Sequence, residues 1–96
     1  MIPDKVKIGY KEYEIKKVDY PILVDGKECY GSIEYNQYVI KINNNFKDTH
    51  QEATFWHEIL HGIDEMYANN QLEEKDVELL SKGLFMFFKD NPDLFK

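Results

Sequence analysis

The hydrophobic pattern of this chain changes period near Asn43, and that change constrains the fold more than any other feature. Before Asn43, short runs alternate between apolar and polar residues, which predicts β-strands. After Asn43, apolar residues recur at helical spacing in two long stretches, which predicts two amphipathic helices. The chain has 96 residues, enough for one modest hydrophobic core. We therefore expect a single α+β domain over residues 1–96.

The first half predicts a small antiparallel or mixed sheet that packs on the two helices. Its strand-like runs cover residues 5–8, 13–18, 32–35 and 38–42. Residues 9–12 suit a turn between the first two, and Asn36-Gln37 suits a hairpin turn between the last two. Residues 25–28 mark a further loop.

The second half predicts two helices joined by a short connection. Thr49, with Glu52 three residues later, predicts a capping box at the start of the first helix. The apolar residues of this helix form a predicted core-facing stripe of Ala53, Trp56, Ile59, Leu60, Ile63 and Tyr67. A second helix is predicted from about residue 72 to residue 89. The break at residues 69–71 predicts that the two helices are antiparallel neighbours.

Charge and composition narrow the possible partners. A net charge of −6 argues against nucleic-acid binding, which requires a basic face. No apolar run is long enough to cross a membrane, and the N-terminus lacks the pattern of a signal peptide. The single cysteine, Cys29, favours a reducing compartment. The expected location is therefore the cytoplasm.

The stretch His57-Glu58-Ile59-Leu60-His61 fits the H-E-x-x-H pattern of zinc-dependent hydrolases. Residues four apart on a helix lie one above the other, so both imidazoles can bind one ion. On a helical wheel the histidines share a face well away from the apolar stripe. Glu58 is placed to act as general base on a metal-activated water.

A catalytic zinc ion needs a third protein ligand and an open coordination position. His50 lies on the face of the two histidines but about 10 Å from His57 along the axis, too far to share the ion. Asp64 also lies on that face, but three ligands spread over two turns of one straight helix do not converge easily.

The second predicted helix offers two further carboxylates, Glu74 and Glu78. If the chain reverses at residues 69–71, His61 faces the region of Glu78, whereas Glu74 lies near the loop. Glu78 is therefore the predicted third ligand of Zn²⁺, with Glu74 and Asp64 as alternatives.

These ligands predict a peptide hydrolysis mechanism. Zinc held by His57, His61 and Glu78 would lower the pKa of its bound water, and Glu58 would pass the proton to the leaving amine. One further donor would meet the charge that builds up on the carbonyl oxygen. Three tyrosines could serve and the sequence does not choose among them: Tyr35, Tyr38 and Tyr67. A peptide or protein substrate could lie extended along the sheet edge, by strand addition.

The C-terminal half resembles the zincin metallopeptidases of the compact gluzincin type, and most closely the small ImmA/IrrE-like metallopeptidases of phages and mobile elements. The residues that carry the resemblance are His57 to Asp64, Glu74 to Leu84, and Lys89 to Pro92. It implies a glutamate ligand on the downstream helix, which agrees with Glu78 by position. It also implies that the strand before the motif helix, residues 38–42, forms the upper rim of the cleft.

The chain departs from these families at two points. The third histidine of the metzincins is missing, and so is a downstream histidine that would stabilise the oxyanion. The chain also has almost no second subdomain that could form the other side of the cleft. Two alternatives to a zinc peptidase therefore stay open: a catalytically weak or inactive zinc-bound interaction module of phage or mobile-element origin, and a chance motif with no metal.

Overall fold

The computed structural model describes residues 2–94, in which six strands precede two helices. The strands are β1 (Lys5–Ile8), β2 (Lys11–Val18), β3 (Ile22–Val24), β4 (Lys27–Cys29), β5 (Gly31–Glu34) and β6 (Val39–Asn43). The helices are α1 (Asp48–Tyr67) and α2 (Glu74–Asp90). The predicted α+β fold class is confirmed.

Four of the strands form a mixed sheet in the order β1-β2-β6-β5. The central pair, β2 and β6, is parallel, and both outer pairs are antiparallel. Gly9, at φ 61°, allows the tight turn into β2, since the left-handed region costs glycine little. The second, two-stranded sheet is the β3–β4 hairpin, whose turn falls within the loop predicted at residues 25–28. Strands of three residues are too short to show alternation, so the sequence predicted only their turn.

Helix α1 packs directly on the four-stranded sheet. The core between them contains the buried residues Ile8, Tyr13, Ile40, Ile42 and Phe55. At Gly62 a Cβ atom would lie 2.7 Å from Cδ1 of Ile8 and 3.1 Å from Cδ1 of Ile33. The absence of a side chain at Gly62 therefore allows the close approach of helix and sheet.

The buried surface of α1 differs from its predicted stripe. Ile63 and Tyr67 are 38% and 70% exposed, whereas Gln51, Thr54 and Glu58 are buried. The reason is that α1 is covered from two sides, by the sheet and by α2. The predicted capping box is also wrong, because α1 begins at Asp48 with no side-chain hydrogen bond at its N-cap, Lys47.

The connection between the helices runs back along α1 instead of reversing in a tight turn. The backbone oxygen of Asp64 accepts hydrogen bonds from the amides of Ala68 (2.9 Å) and Asn70 (3.1 Å). Its side-chain Oδ1 accepts one from the amide of Leu72 (3.4 Å). Asn69 and Asn70 adopt positive φ angles of 54° and 57°, which asparagine tolerates better than most residues. The chain has thus returned to the level of Asp64 before α2 begins.

Helix α2 then packs on α1 in the opposite direction. Its first turn has a capping box, in which the backbone N–H of Glu73 donates to the Asp76 carboxylate (3.2 Å). Towards its end, the ring of Phe88 stacks on Trp56 with centroids 5.0 Å apart. In the part of the chain that the structure describes, neither helix is long and apolar enough to cross a membrane.

Candidate metal centre

The two histidines of the H-E-x-x-H stretch lie together on the side of α1 that faces the start of α2. Their ring centroids are 4.9 Å apart, as expected for residues one helical turn apart. Both side chains are largely shielded from solvent, at 17% and 23% exposure for His57 and His61. Their shared face, predicted from the helical wheel, is therefore confirmed.

Glu74, the first residue of α2, reaches both imidazoles. One carboxylate oxygen lies 2.8 Å from Nε2 of His57, and the other lies 3.1 Å from Nε2 of His61. Ligand atoms from the three residues all lie within 4.8 Å of one another. His57, His61 and Glu74 thus form a convergent set of two nitrogens and one carboxylate.

Glu78, predicted from the sequence as the third ligand, contacts His57 on its other ring nitrogen. Its Oε2 lies 3.1 Å from Nδ1 of His57, and its Oε1 lies 3.3 Å from Nζ of Lys82. This position suits a residue that orients His57, since the free nitrogen of a metal-binding histidine usually donates to a carboxylate. The geometry therefore favours Glu74 over Glu78 as the third ligand.

The path of the helix connection explains why Glu74 takes this position. The prediction of Glu78 assumed that the chain reverses at residues 69–71. Because residues 68–73 instead run back along α1, held by Asp64, the first turn of α2 begins beside the histidines. A shift of one helical turn exchanges Glu78 for Glu74.

The remaining candidates lie outside the convergent set. Asp64 is only 3% exposed and holds the helix connection. His50 packs between Phe46 and Tyr30, with ring centroids 4.8 Å and 4.4 Å away. The prediction that His50 does not share the ion agrees with this arrangement.

The donor types of this group could hold a zinc ion. Zinc binds imidazole nitrogen and carboxylate oxygen at about 2.0–2.2 Å, so donors in a tetrahedral site lie about 3.3 Å apart. The two Glu74 contacts, which different carboxylate oxygens make, are shorter than that spacing by about 0.5 Å and about 0.2 Å, and the ligand atoms of the three residues lie within 4.8 Å of one another. If Nδ1 of His57 donates to Glu78, its Nε2 carries the lone pair that a metal requires. Burial lowers the pKa of His61 below its ordinary value of 6.5, although the Glu74 carboxylate has the opposite effect. The lowered pKa favours the neutral imidazole, which is the form that binds a metal.

Glu58 lies on the sheet-facing side of α1 and is only 6% exposed. A Cβ atom at Gly31 would lie 3.4 Å from its Cγ and 2.6 Å from Cγ2 of Thr54, so β5 passes directly over this part of the helix. Burial, together with the negative charge of Glu74, raises the pKa of Glu58 to about 8. A carboxyl with such a pKa can exchange a proton near neutral pH. The sequence did not predict the position of Gly31 beside Glu58, because periodicity describes single elements and not how closely two elements approach each other.

The neighbouring strand is not the one expected from the resemblance. Residues 38–42, expected at the rim of the cleft, belong almost entirely to β6, which is an interior strand. The strand at this edge of the sheet is β5, and the contact between Gly31 and Glu58 brings it to the site. An extended substrate along the sheet edge would therefore pair with β5.

The three tyrosines differ in their surroundings. Burial, and then the negative charge of Glu58, raise the pKa of Tyr35 to about 12, so its hydroxyl stays protonated and able to donate. Tyr38 packs its ring against Tyr13, with centroids 5.8 Å apart. Tyr67 is mostly exposed and lines a groove with Trp56 and Ile63. The charge of Glu58 therefore acts on the hydroxyl of Tyr35.

Comparisons with protein-family models, with curated proteins and with solved structures found no match to this chain.

Proposed function

We propose that this protein is a zinc-dependent hydrolase of the metallopeptidase type, acting on peptide or protein substrates in the cytoplasm. The observation that carries the proposal is the grouping of His57, His61 and Glu74, whose ligand atoms all lie within 4.8 Å of one another, with Glu58 one residue after the first histidine. Two histidines and one glutamate leave a fourth position open, as in catalytic rather than structural zinc sites. Zinc bound there would supply an activated water and polarise the substrate carbonyl.

The chain's own residues supply the proton transfers. Glu58 is the acceptor for the proton of the attacking water and the donor to the leaving amine. Its buried setting beside Gly31 excludes bulk water from that exchange. Glu78, held by Lys82, keeps the His57 ring in the orientation that points Nε2 at Glu74.

A second candidate function is a zinc-bound interaction module without turnover. The burial of Glu58 favours it, because a base that is only 6% exposed has little access to an incoming substrate. The single cysteine and the acidic composition agree with either function in the cytoplasm. The two candidates differ in what Glu58 does once the metal is bound.

The Glu58→Gln variant distinguishes them. We expect the variant and the unchanged protein each to bind one zinc ion per chain, and the variant to lose hydrolysis of a quenched-fluorescence peptide library. The matched control is Glu52→Gln on the same helix, whose side chain lines a groove with Trp56 and Phe85; it should leave both readouts unchanged. Zinc binding without hydrolysis in the unchanged protein would favour the module. Absence of zinc would remove both candidates.

A further inference from the structure

Strand β1 forms the edge of the sheet opposite to β5 and, among the residues that the structure describes, pairs only with β2. The amide of Ile15 donates to the carbonyl of Asp4 (2.8 Å), and Lys5 stands opposite Glu14. In an antiparallel ladder the residues whose backbone groups point at the partner alternate with those that point away. The N–H and C=O groups of Lys5 and Lys7 therefore point to the open side of the sheet.

An apolar groove of about 390 Å³ lies between β1 and α1. The apolar side chains among its lining residues are those of Val6, Ile8, Phe55, Trp56, Ile59, Ile63 and Tyr67. Ile59 and Ile63 each follow a motif histidine by two residues, which places them about 200° around the helix from it. The groove and the metal centre thus lie on different sides of α1.

Side chains alternate along β1 between the groove and the outer face of the sheet. Val6 and Ile8 face α1, and Lys5 and Lys7 face the other way and are exposed. On β2 the residues opposite the two lysines are Glu14 and Glu12. A strand added at the open edge would therefore place every second side chain in the groove and the others beside the lysines.

The charges of this edge decide what can pair with it. A second copy pairing through β1 in antiparallel fashion would bring Lys5 and Lys7 against the same lysines of its partner, and like charges directly opposite are unfavourable. Acidic side chains would extend the pattern that Glu12 and Glu14 already form on the other side of the lysines.

We propose that the β1 edge binds an extended segment of another protein, by strand addition, in which apolar residues alternate with acidic ones. The apolar side chains occupy the groove, the acidic ones contact Lys5 and Lys7, and the backbone bonds to the open groups of these two lysines. This surface is independent of the metal centre and of any hydrolytic activity.

The test uses a fluorescein-labelled peptide of alternating valine and glutamate, eight residues long, titrated into the full chain. Amide hydrogen exchange, followed by NMR, reports the mode of binding. The amides of Lys5 and Lys7 should exchange quickly in the free protein and become protected with the peptide, whereas the Val6 amide is protected in both. Ile63→Glu, and Lys5→Glu with Lys7→Glu, should each weaken binding at least tenfold.

Matched controls are Lys16→Glu on the interior strand β2 and a peptide with lysine in place of glutamate. Lys16→Glu should bind as the unchanged protein does, and the lysine peptide at least tenfold more weakly. Four results would overturn the proposal: no binding at millimolar peptide, equal binding of the lysine peptide, binding without protection of the Lys5 and Lys7 amides, or concentration-dependent protection of those amides without peptide. The last would identify a second copy as the occupant.

Discussion

Removing the two glutamates of α2 one at a time tests the assignment of the metal ligands most directly. Glu74 contacts Nε2 of both histidines, at 2.8 Å and 3.1 Å, whereas the histidine nitrogen that Glu78 contacts is Nδ1 of His57, at 3.1 Å. On the proposed assignment, Glu74→Ala removes a ligand, and Glu78→Ala removes a residue that orients one. Because the two glutamates are one helical turn apart, the variants are closely matched.

The magnitudes follow from these roles. A zinc site with four protein ligands contributes about 10–16 kcal/mol, so one ligand corresponds to about 3 kcal/mol, or a 100- to 1,000-fold change in affinity. Loss of a residue that orients a ligand costs about 10- to 100-fold. We therefore expect Glu74→Ala to weaken zinc binding roughly tenfold more than Glu78→Ala does. Lys82→Ala, which removes the ion-pair partner of Glu78, should have the smallest effect.

The assay is a competition titration of each variant against a chromophoric zinc chelator, with circular dichroism to confirm folding. Glu74 also lies at the N-terminus of α2, where a negative charge stabilises the helix by about 0.3–1 kcal/mol. Unfolding curves of the metal-free proteins separate that contribution from the loss of a ligand. A larger loss of affinity in Glu78→Ala than in Glu74→Ala would refute the reasoning and restore Glu78 as the third ligand.

Three further predictions concern residues around the site. Asp64→Ala removes the side-chain acceptor of the Leu72 amide and leaves the bonds that the backbone oxygen accepts from Ala68 and Asn70. The start of α2 is then held less firmly beside the histidines, so the variant should bind zinc more weakly in a chelator competition although Asp64 is not a proposed ligand; unchanged affinity would contradict this. In the metal-free protein, burial raises the pKa of Glu58 from 4.5 to about 8, so the folded state keeps a proton that the unfolded chain loses and stability falls as the pH rises between these values. Glu58→Gln should therefore be more stable in urea at pH 7, by up to about 3 kcal/mol, and equal to the unchanged protein near pH 4; a difference independent of pH would contradict this. Gly62→Ala should lower the free energy of unfolding by up to about 2 kcal/mol, because overlap of the new methyl group with Ile8 costs about 1–3 kcal/mol and the higher helix propensity of alanine offsets about 1 kcal/mol of it; an unchanged urea midpoint would contradict this.

The sequence alone determined the class of fold and the two histidines of the candidate metal centre. The change from alternating to helical periodicity predicted strands followed by two helices, because each period matches the geometry of one element. The spacing of His57 and His61 predicted their shared face for the same reason, since four residues make one turn of any helix. The link between Lys82 and Glu78 could also have been predicted, as a pair four residues apart on a helix.

Only the tertiary structure decided how these elements meet. The third donor depended on whether the connection reverses tightly or runs back along α1, and that was decided by the hydrogen bonds of Asp64 to Ala68, Asn70 and Leu72. The strand beside Glu58 depended on the order of strands in the sheet, which the period of a single strand does not encode. Local periodicity follows from the geometry of one element, so the sequence predicted the histidine pair. The position of Glu74 beside the histidines follows from contacts between elements, so only the structure could show it.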